Sequence, residues 1–304
     1  MQLAMVGLGR MGGNMVTRLL RKGHQVVAFD MSAEAVARAE GEGATGAHTL
    51  EEVAEKLGER PRVVWVMVPA GDPTSQTIKR LSELCDAGDI VIDGGNTNWK
   101  LALEDAKVLQ ERGIHYLDAG TSGGIWGLAN GYCLMVGGPK EAYDHCEPIL
   151  RALAPDEGGL VHTGSEGSGH FVKMVHNGIE YAMMQAYAEG FHIMKANSVF
   201  SGMDMHAIAD AWRFGSVVRS WLLDLIADGL EKDRDLAALR GYVEDTGEGR
   251  WTVQAAVEEA IPSPTITMAL YERFRSRMED TFADKMLAMM RNQFGGHAVR
   301  TTVP

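Results

Sequence analysis

A short apolar strand followed by a glycine-rich turn restricts the fold of this chain more than any other feature. Residues 2–6 are typical of a buried strand, and the sequence GLGRMG follows at residues 7–12. A helical pattern then continues to about Lys22, and a second strand-like run ends at Asp30. The first glycine permits a tight turn, the second lets a pyrophosphate approach the backbone, and the third allows close helix packing. The pattern therefore predicts a dinucleotide-binding βαβ unit.

Asp30 indicates which dinucleotide this unit binds. A carboxylate at the end of the second strand accepts hydrogen bonds from a ribose diol but repels a 2′-phosphate. We therefore expect NAD rather than NADP, although a contact between Arg10 and a phosphate would weaken that preference. A solvated strand-end carboxylate or a helix cap is the alternative role for Asp30. The predicted cofactor-binding residues are Gly7, Leu8, Gly9, Arg10, Met11, Gly12, Asp30, Met31, Val68, Pro69, Ala70 and Asn96.

Strand-like and helical segments alternate through the first half of the chain, as in a doubly wound sheet. Strand-like runs recur at residues 62–68, 89–93, 115–118, 132–136 and 160–162. From about residue 165 the periodicity is helical, and no proline occurs between Pro155 and Pro262. We predict an α/β Rossmann-type domain with a mostly parallel sheet over residues 1–164. An all-α domain for substrate binding and oligomerisation is predicted over residues 165–304.

Four polar residues share one face of the first helix predicted in the second domain. Lys173, His176, Asn177 and Glu180 are spaced i, i+3, i+4 and i+7. An unpaired charge in an apolar site is costly, so these convergent polar groups indicate an active site. A structural ion pair on a partly solvated helix is the alternative. The methionines at 183, 184, 286, 289 and 290 are predicted to fill the core instead.

Two loops place small and polar residues at predicted carboxyl ends of strands, where open α/β sheets bind ligands. They are DGGNT at residues 93–97 and TSGG at residues 121–124. Glycine amides can face an anion, and the side chains of Asn96 and Ser122 can hydrogen-bond hydroxyls or a carboxylate. Taken as isolated loops, both are equally compatible with ordinary turns.

The formal net charge of −12 disfavours nucleic acids and anionic membrane surfaces as partners, because both require a positive field. An anionic substrate would need a local basic cluster. Arg250, Arg273 and Arg291 recur toward the C-terminus, and arginine is suited to bidentate phosphate binding. Solvated surface charge is the alternative role for each of them.

Apolar runs, cysteines and histidines indicate where the protein is located and whether it binds a metal. No apolar run approaches the roughly 18 residues that span a bilayer, and no charged leader precedes the first strand, so we expect a cytoplasmic protein. Cys85, Cys133 and Cys146 lack CxxC spacing and are predicted to be small buried hydrophobic residues. The histidines form no HExxH pair, so no metal site is predicted.

Four blocks in order resemble the decarboxylating 6-phosphogluconate dehydrogenase family, in its short bacterial form. They are GLGRMG, DGGNT, TSGG and GSGHFVKMVHNGIEY, and the segments RWT at 250–252 and RNQFGGH at 291–297 strengthen the resemblance. The wider superfamily of 3-hydroxyacid dehydrogenases shares the glycine fingerprint, a TSGG-like loop and the lysine. Glu180 and the RNQFGGH segment favour the 6-phosphogluconate dehydrogenase family.

The resemblance implies an oxidoreductase of the pentose phosphate pathway that converts 6-phosphogluconate to ribulose 5-phosphate and carbon dioxide with NAD. It implies that Lys173 takes a proton from the sugar 3-hydroxyl while hydride leaves the same carbon. The lysinium then polarises the ketone during loss of carbon dioxide, which makes an enediol, and Glu180 protonates carbon 1 of that enediol. No metal is needed for this chemistry.

The resemblance also assigns the substrate contacts. The carboxylate and hydroxyl end would meet Ser122, Gly123, Gly124, His176 and Asn177, with Asn96 between substrate and nicotinamide. The phosphate would meet Tyr181, Arg250, Thr252 and Arg273. Arg291 and His297 would reach the phosphate from a neighbouring subunit, which implies a homo-oligomer, either dimer or tetramer, with shared sites.

The chain departs from the family pattern at several positions. Asp30-Met31-Ser32 stands where NADP-dependent members carry an Asn-Arg-Thr type sequence, which again favours NAD. Arg250 replaces a lysine of the long-form enzymes, and Ile125-Trp126 replaces two acids. The main alternative function is a 3-hydroxyacid dehydrogenase acting on a small unphosphorylated acid such as 3-hydroxyisobutyrate. A nucleotide-binding protein without turnover is a remote alternative.

Overall fold

The computed structural model describes residues 1–58 and 60–300, and the chain divides into two compact units after Asn177. The strands of the first unit are β1 (Gln2–Val6), β2 (Gln25–Phe29), β3 (Thr45–Ala47), β4 (Val63–Val66), β5 (Ile90–Asp93), β6 (His115–Ser122), β7 (Cys133–Gly137) and β8 (Leu160–Gly164). Its helices are α1 (Arg10–Arg21), α2 (Ala33–Gly41), α3 (Leu50–Lys56), α4 (Asp72–Leu84), α5 (Trp99–Gln110), α6 (Gly127–Asn130) and α7 (Lys140–Leu153).

The strands form one sheet in the order β3-β2-β1-β4-β5-β6-β7-β8. All neighbours are parallel except β6 and β7, which are antiparallel. The winding direction reverses between β1 and β4, and ligands of open α/β sheets bind at the carboxyl ends of strands at such a point. The prediction of a mostly parallel, doubly wound sheet is confirmed.

Both faces of the sheet are buried, which explains the continuous apolar runs in its strands. Leu3 and Met5 belong to one layer of the core, whereas Ala4 and Val6 belong to the other. Cys85 and Cys146 are buried as predicted. Cys133 is exposed, so the prediction that it is buried was wrong, because it is the first residue of β7 rather than an interior one.

The end of β6 and the strand β3 were not predicted from the sequence. Thr121 and Ser122 were predicted in a loop, but they are the last residues of β6 and pair with Leu134 and Cys133 of β7. The antiparallel partner extends β6 beyond its apolar core. The strand β3 was missed because three residues are too few to show a period.

The second unit is helical throughout its described part. The helix α8 (Ser168–Ala196) begins in the first unit and continues into the second. The other helices are α9 (Met205–Trp212), α10 (Trp221–Lys232), α11 (Glu248–Glu258), α12 (Pro264–Arg275) and α13 (Phe282–Gly295). Asp204, Ser220 and Thr281 cap α9, α10 and α13 by accepting a backbone N–H three residues later. None of the described helices has the length and apolar character needed to cross a membrane.

The core of the second unit is small. Its main cluster consists of Met205 and Ala209 from α9 packed with Leu223, Ala227 and Leu230 from α10, and Ala269 and Leu270 of α12 are also buried. The five methionines predicted as core filler, at 183, 184, 286, 289 and 290, are instead exposed. That prediction was wrong because these side chains lie on helix faces that the chain itself does not cover.

Candidate active site

The loop between β1 and α1 has a backbone geometry that only glycine permits. Gly7 has a φ of +100°, and a Cβ there would lie 2.7 Å from the carbonyl carbon of Met67. A Cβ on Gly12 would collide with the carbonyl oxygen of Gly7, so the third glycine lets α1 pack on the loop. A Cβ on Gly9 would meet nothing within 4 Å, so this side of the loop is open to a ligand.

The N-terminus of α1 fits an anion. Gly9 is its N-cap residue, and no described side chain caps it, whereas Ser32 and Thr49 cap α2 and α3. The first backbone N–H groups of a helix lack partners within the helix and carry the positive end of its dipole. The residues present therefore fit a dinucleotide pyrophosphate at this position.

The carboxylate of Asp30 is fixed beside the glycine loop. Its Oδ2 accepts the backbone N–H of Leu8 at 2.6 Å, and its Oδ1 accepts that of Ser32 at 2.8 Å. The carboxylate therefore stays at the end of β2, where a ribose of a bound dinucleotide lies in this fold. Met31 is almost fully exposed beside it.

Val68, Pro69 and Ala70 follow β4, the sheet neighbour of β1. The backbone N–H of Met67 donates to the oxygen of Val6 at 2.7 Å, which keeps this segment at the same edge of the sheet as the glycine loop. Pro69 and Ala70 are exposed, while Val68 is half-buried.

The loop after β5 is folded tightly around Asp93. Its Oδ1 accepts the N–H of Gly95 at 2.9 Å, and a Cβ on Gly94 would lie 2.7 Å from the indole of Trp65. Asn96 follows and is exposed at the carboxyl end of β5.

The chain leaves β6 through two glycines with positive φ, Gly123 at +129° and Gly124 at +50°. A 3₁₀ turn over Gly124–Trp126 follows, and Ile125 and Trp126 in it are about half exposed. Ser122 is half-buried at the end of the strand.

The side chains of Lys173, His176 and Asn177 contact one another on α8. The Nζ of Lys173 donates to the Oδ1 of Asn177 at 2.7 Å, and the Nδ1 of His176 lies 3.0 Å from the same oxygen. Lys173 is half-buried and Asn177 is buried. Three polar groups that are adjacent on the predicted face therefore meet at one amide oxygen.

Three buried charged groups surround the first turn of α8. Asp118 accepts the backbone N–H groups of Gly167 and His170, both at 2.7 Å. The Nε2 of His170 lies 3.1 Å from the Oδ2 of Asp93, and both side chains are at most 1% exposed. The contact is an ion pair when the imidazole is protonated.

The pKa directions agree with this pairing. Burial alone would lower the pKa of His170, but the charge of Asp93 and its polar contact with the ring, followed by the charges of Asp118 and Asp105, outweigh burial and raise it. Burial would raise the pKa of Asp93, but the charge of His170 leads the interactions that bring it below its ordinary value. For Asp118, burial prevails and its pKa is raised despite His170. The imidazolium beside the Asp93 carboxylate is therefore favoured.

In the second unit, Glu180 is half-buried on α8, and Tyr181 next to it is buried. The guanidinium carbon of Arg273 lies 3.5 Å from the ring centroid of Tyr181, a cation–π contact. Thr252 is buried close to Gly178, and its hydroxyl donates to the oxygen of Glu248 at 2.8 Å.

Arg250 is held by a carboxylate that the sequence analysis did not identify. Its Nε donates to the Oδ2 of Asp245 at 2.6 Å, and its NH2 donates to the Oδ1 at 3.2 Å. Arg277 also donates to Asp245. Hydrogen bonds from Arg250 are the largest of the effects that lower the pKa of Asp245 to about 2. Arg250 also stacks on Phe274, the residue after Arg273, with 4.4 Å between guanidinium carbon and ring centroid.

Arg291 and His297 lie together but not with the other predicted phosphate ligands. They line a cavity of about 330 Å³ with Asp280, Asp284, Lys285, Ala288, Ala298, Val299 and Arg300. Tyr181, Arg250, Thr252 and Arg273 are not among the described residues around it. Within residues 1–58 and 60–300, no cluster of three His, Cys, Asp or Glu side chains could hold a metal ion.

Sequence patterns did not identify the roles of Asp93, Asp118, His170 and Asp245. A signal existed for two of them, because Asp93 and Asp118 each follow a run of apolar or aromatic residues in a predicted strand. An acid in a buried strand needs a partner, but its partner is not visible in the sequence.

The chain matches two family models in succession. Residues 2–164 match the NAD binding domain of 6-phosphogluconate dehydrogenase, and residues 169–301 match the C-terminal domain of 6-phosphogluconate dehydrogenase. Together the two models span most of the chain.

Similar individual proteins and solved structures belong to the same family or share its fold. A Haloferax volcanii protein named NAD(+)-dependent, decarboxylating 6-phosphogluconate dehydrogenase is 44% identical over 300 residues, which is 98% of each chain. A solved Plasmodium falciparum 6-phosphogluconate dehydrogenase has a TM-score of 0.84 and 29% identity, over 100% of this chain and 67% of that one. Mycobacterium tuberculosis 3-hydroxyisobutyrate dehydrogenase has a TM-score of 0.70 at 21% identity, over 95% of this chain and 99% of that one, and this likeness shows the fold alone.

Proposed function

Because this chain belongs to the 6-phosphogluconate dehydrogenase family, we propose that it oxidises and decarboxylates 6-phosphogluconate to ribulose 5-phosphate with NAD. The predicted activity agrees with the name of the Haloferax volcanii relative. The observation that carries the proposal is the contact of Lys173 and His176 with one amide oxygen, that of Asn177, in the family's C-terminal sequence. The 3-hydroxyacid dehydrogenase alternative rests on a likeness in fold alone.

Lys173 and Glu180 carry the chemistry in this proposal. Lys173 takes the proton from the 3-hydroxyl of the substrate as base. NAD, when bound, supplies the acceptor for the hydride of carbon 3. The lysinium then donates a hydrogen bond to the new ketone, which stabilises the negative charge that develops as carbon dioxide leaves. The proton of the lysinium moves to that oxygen, which gives an enediol. Glu180 in its protonated form then donates a proton to carbon 1 of the enediol while Lys173 takes the proton of the hydroxyl on carbon 2, which gives ribulose 5-phosphate. Return of that proton from Lys173 to Glu180 restores both side chains.

The carboxylate and hydroxyl end of the substrate is assigned to residues near Lys173. His176 and Asn177 belong to the same helix, and Ser122, Gly123 and Gly124 lie where β6 ends. Both glycines have positive φ, a backbone conformation found in turns whose N–H groups face an anion. Asn96 is exposed at the carboxyl end of β5 and is assigned to both substrate and nicotinamide.

The phosphate of the substrate is assigned to Tyr181, Arg250, Thr252 and Arg273. A chain with a net charge of −12 needs concentrated positive charge to attract a dianion. The stacking of Arg250 on Phe274, and of Arg273 on Tyr181, limits the motion of both guanidinium groups. Limited motion reduces the entropy that a bound phosphate would otherwise cost.

NAD is the cofactor, and the first unit supplies its site. We assign the pyrophosphate to residues 7–12 and the adenosine ribose to Asp30, with Met31 and residues 68–70 beside them. In this proposal residues 1–164 bind the cofactor, and residues 165–304 bind the substrate and contact other subunits. A cytoplasmic location is proposed because the three unpaired thiols fit a reducing compartment.

A homo-oligomer with shared sites is part of this proposal. No residue of α13 is buried, and Phe282, Leu287 and Phe294 on it are 77%, 57% and 95% exposed. A helix with this much exposed apolar surface is stabilised when a second copy covers it. In that arrangement Arg291 and His297 serve the neighbouring subunit, which agrees with their position around a separate cavity.

The activity is tested by measuring NAD and NADP reduction with 6-phosphogluconate while trapping carbon dioxide. Gluconate and 3-hydroxyisobutyrate serve as control substrates. We expect NAD-linked turnover with one carbon dioxide per NADH, and its loss in Lys173→Met but not in Lys195→Met, a surface lysine on the same helix paired with Asp235. Turnover with a control acid alone, without carbon dioxide, would contradict the proposed reaction.

Shared sites are tested by mixing two inactive variants, Lys173→Met and Arg291→Ala, and exchanging their subunits. If Arg291 serves the neighbouring subunit, each mixed pair contains one intact site, and random mixing of dimers restores about a quarter of wild-type activity. A mixture that stays inactive after proven subunit exchange would place Arg291 in its own subunit's site and contradict the shared site.

A further inference from the structure

The first turn of α8 is held against β5 and β6 by buried side chains. Asp118 in β6 accepts the N–H groups of Gly167 and His170 at 2.7 Å each. Such N–H groups at a helix start have no partner within the helix. One carboxylate therefore determines where α8 begins, only a few residues before Lys173.

A second link joins the same turn to the loop that carries Asn96. Asp93, at the end of β5, accepts the N–H of Gly95 with one oxygen, and its other oxygen lies 3.1 Å from His170. The hydroxyl of Tyr116 donates to that second oxygen at 3.3 Å. Asp93 thus connects the Asn96 loop with the helix that carries Lys173.

Burying charged side chains at a helix N-terminus is energetically unfavourable compared with a neutral cap. A buried ion pair often contributes no more stability than an apolar pair of the same size, because both ions lose their hydration. A neutral side chain such as serine can also cap a helix. An ion pair does fix two elements in one arrangement, and a misplacement of about 1 Å in an active site can cost roughly 100-fold in rate.

We propose that Asp118, His170 and Asp93 are positioning residues that fix Lys173 of α8 with respect to the Asn96 loop. This inference rests on the proposed function, in which Lys173 is the base. A purely structural role would lower stability without changing the reactivity of the lysine in the folded protein.

The test compares Asp118→Asn with Asp89→Asn in the full-length protein. Asp89 is a matched control because it is also buried and accepts two backbone N–H groups, of Arg62 and Asp86, at 2.8 and 2.9 Å. It precedes β5, however, at the opposite end from Asp93. The asparagine side chain keeps one oxygen that accepts a backbone N–H, but its NH₂ group faces the other backbone N–H and cannot accept from it. Each variant therefore loses one of its two hydrogen bonds to the backbone.

Two readouts are measured on each variant below its melting temperature. The first is kcat and KM for 6-phosphogluconate and NAD. The second is the rate at which a water-soluble amine reagent labels Lys173 in the substrate-free protein, followed by mass spectrometry. We expect both variants to lose similar stability. Asp118→Asn alone should lose roughly 10-fold to 100-fold in kcat, with KM for NAD unchanged, and should change the labelling rate of Lys173.

Equal kcat values and equal Lys173 labelling in the two variants would overturn the positioning role. If the wild type does not oxidise 6-phosphogluconate but the labelling still differs, the proposed function fails while the positioning role stands. If Asp118→Asn does not fold, His170→Gln replaces it, because this variant keeps both backbone partners of Asp118 and removes only the ion pair. The same two readouts then decide the outcome.

Discussion

Replacing Gly120 by alanine perturbs the contact between β6 and the helix that carries Lys173. Gly120 lies in β6, and a Cβ on it would collide with the Cβ of Lys173. The same Cβ would lie 2.7 Å from the backbone oxygen of Gly169, which is 0.7 Å short of the 3.4 Å at which ordinary contact begins. Neither neighbour is the end of a flexible side chain, so α8 itself must move.

The size of that movement sets the expected loss. The hydrogen bonds from Gly167 and His170 to Asp118 oppose it, because they hold the start of α8 in place. Overpacking of this kind costs about 1–3 kcal/mol of stability. A displacement of about 0.7 Å at the lysine approaches the 1 Å that costs roughly 100-fold in rate, so kcat should fall by about 10-fold to 100-fold.

The assay is steady-state NADH formation with 6-phosphogluconate, together with thermal unfolding and NAD binding on the same samples. Gly41→Ala is the control, because Gly41 is exposed at the end of α2 and a Cβ there would meet nothing within 4 Å. We expect unchanged NAD affinity and reduced kcat in Gly120→Ala only. A folded Gly120→Ala variant with kcat within twofold of wild type would refute the reasoning, since α8 would then accommodate the methyl group without moving Lys173.

Three further predictions concern residues of both units. Glu180→Gln should slow steady-state turnover by about 100-fold or more but leave hydride transfer in a single turnover nearly unchanged; equal losses would contradict its role as the acid. Asp30→Ala should lower the ratio of kcat/KM for NAD to that for NADP by about tenfold, from the loss of a charged hydrogen bond, and an unchanged ratio would place the discrimination elsewhere. Hydrogen bonds from Arg250, then Arg277, help hold the pKa of Asp245 at about 2, below its ordinary 3.8. Its carboxylate therefore stabilises the fold above about pH 4 and loses that effect as the pH falls toward 2. Asp245→Asn should thus lower the melting temperature at pH 6 and have little effect near pH 2; a constant difference would count against the pairing.

The fold was predictable because its signals are local. The strand, glycine turn and helix at residues 2–21 follow from apolar runs and from the conformations that glycine permits. The helical pattern predicted to continue to about Lys22 ends at Arg21 in α1, and the helical region predicted from about residue 165 begins with α8 at Ser168. The strand β3 and the final residues of β6 were not predictable in this way, because both depend on pairing with distant strands.

The site was predictable only where one element carries several of its residues. The spacing of Lys173, His176 and Asn177 within one helix placed them on one face, and their side chains do meet. The partners of His170 lie 77 and 52 residues earlier in the chain, at Asp93 and Asp118. Nothing in the local pattern of either strand specifies a partner so far away, so these contacts become visible only in the folded chain.

The carboxylate of Asp245 affects how the arginines of the second unit can bind a phosphate. Arg250 makes a bidentate pair with Asp245, and Arg277 shares the same carboxylate, so this site does not present two unpaired cations. A dianionic phosphate can attract Arg250 away from a monoanionic carboxylate, whereas an unphosphorylated acid brings no group that can replace Asp245 there. Asp245 would therefore weaken the binding of unphosphorylated acids but would still allow phosphorylated acids to bind. In the proposed site, the carboxylate placed next to Arg250 would thus give selectivity for a phosphorylated substrate.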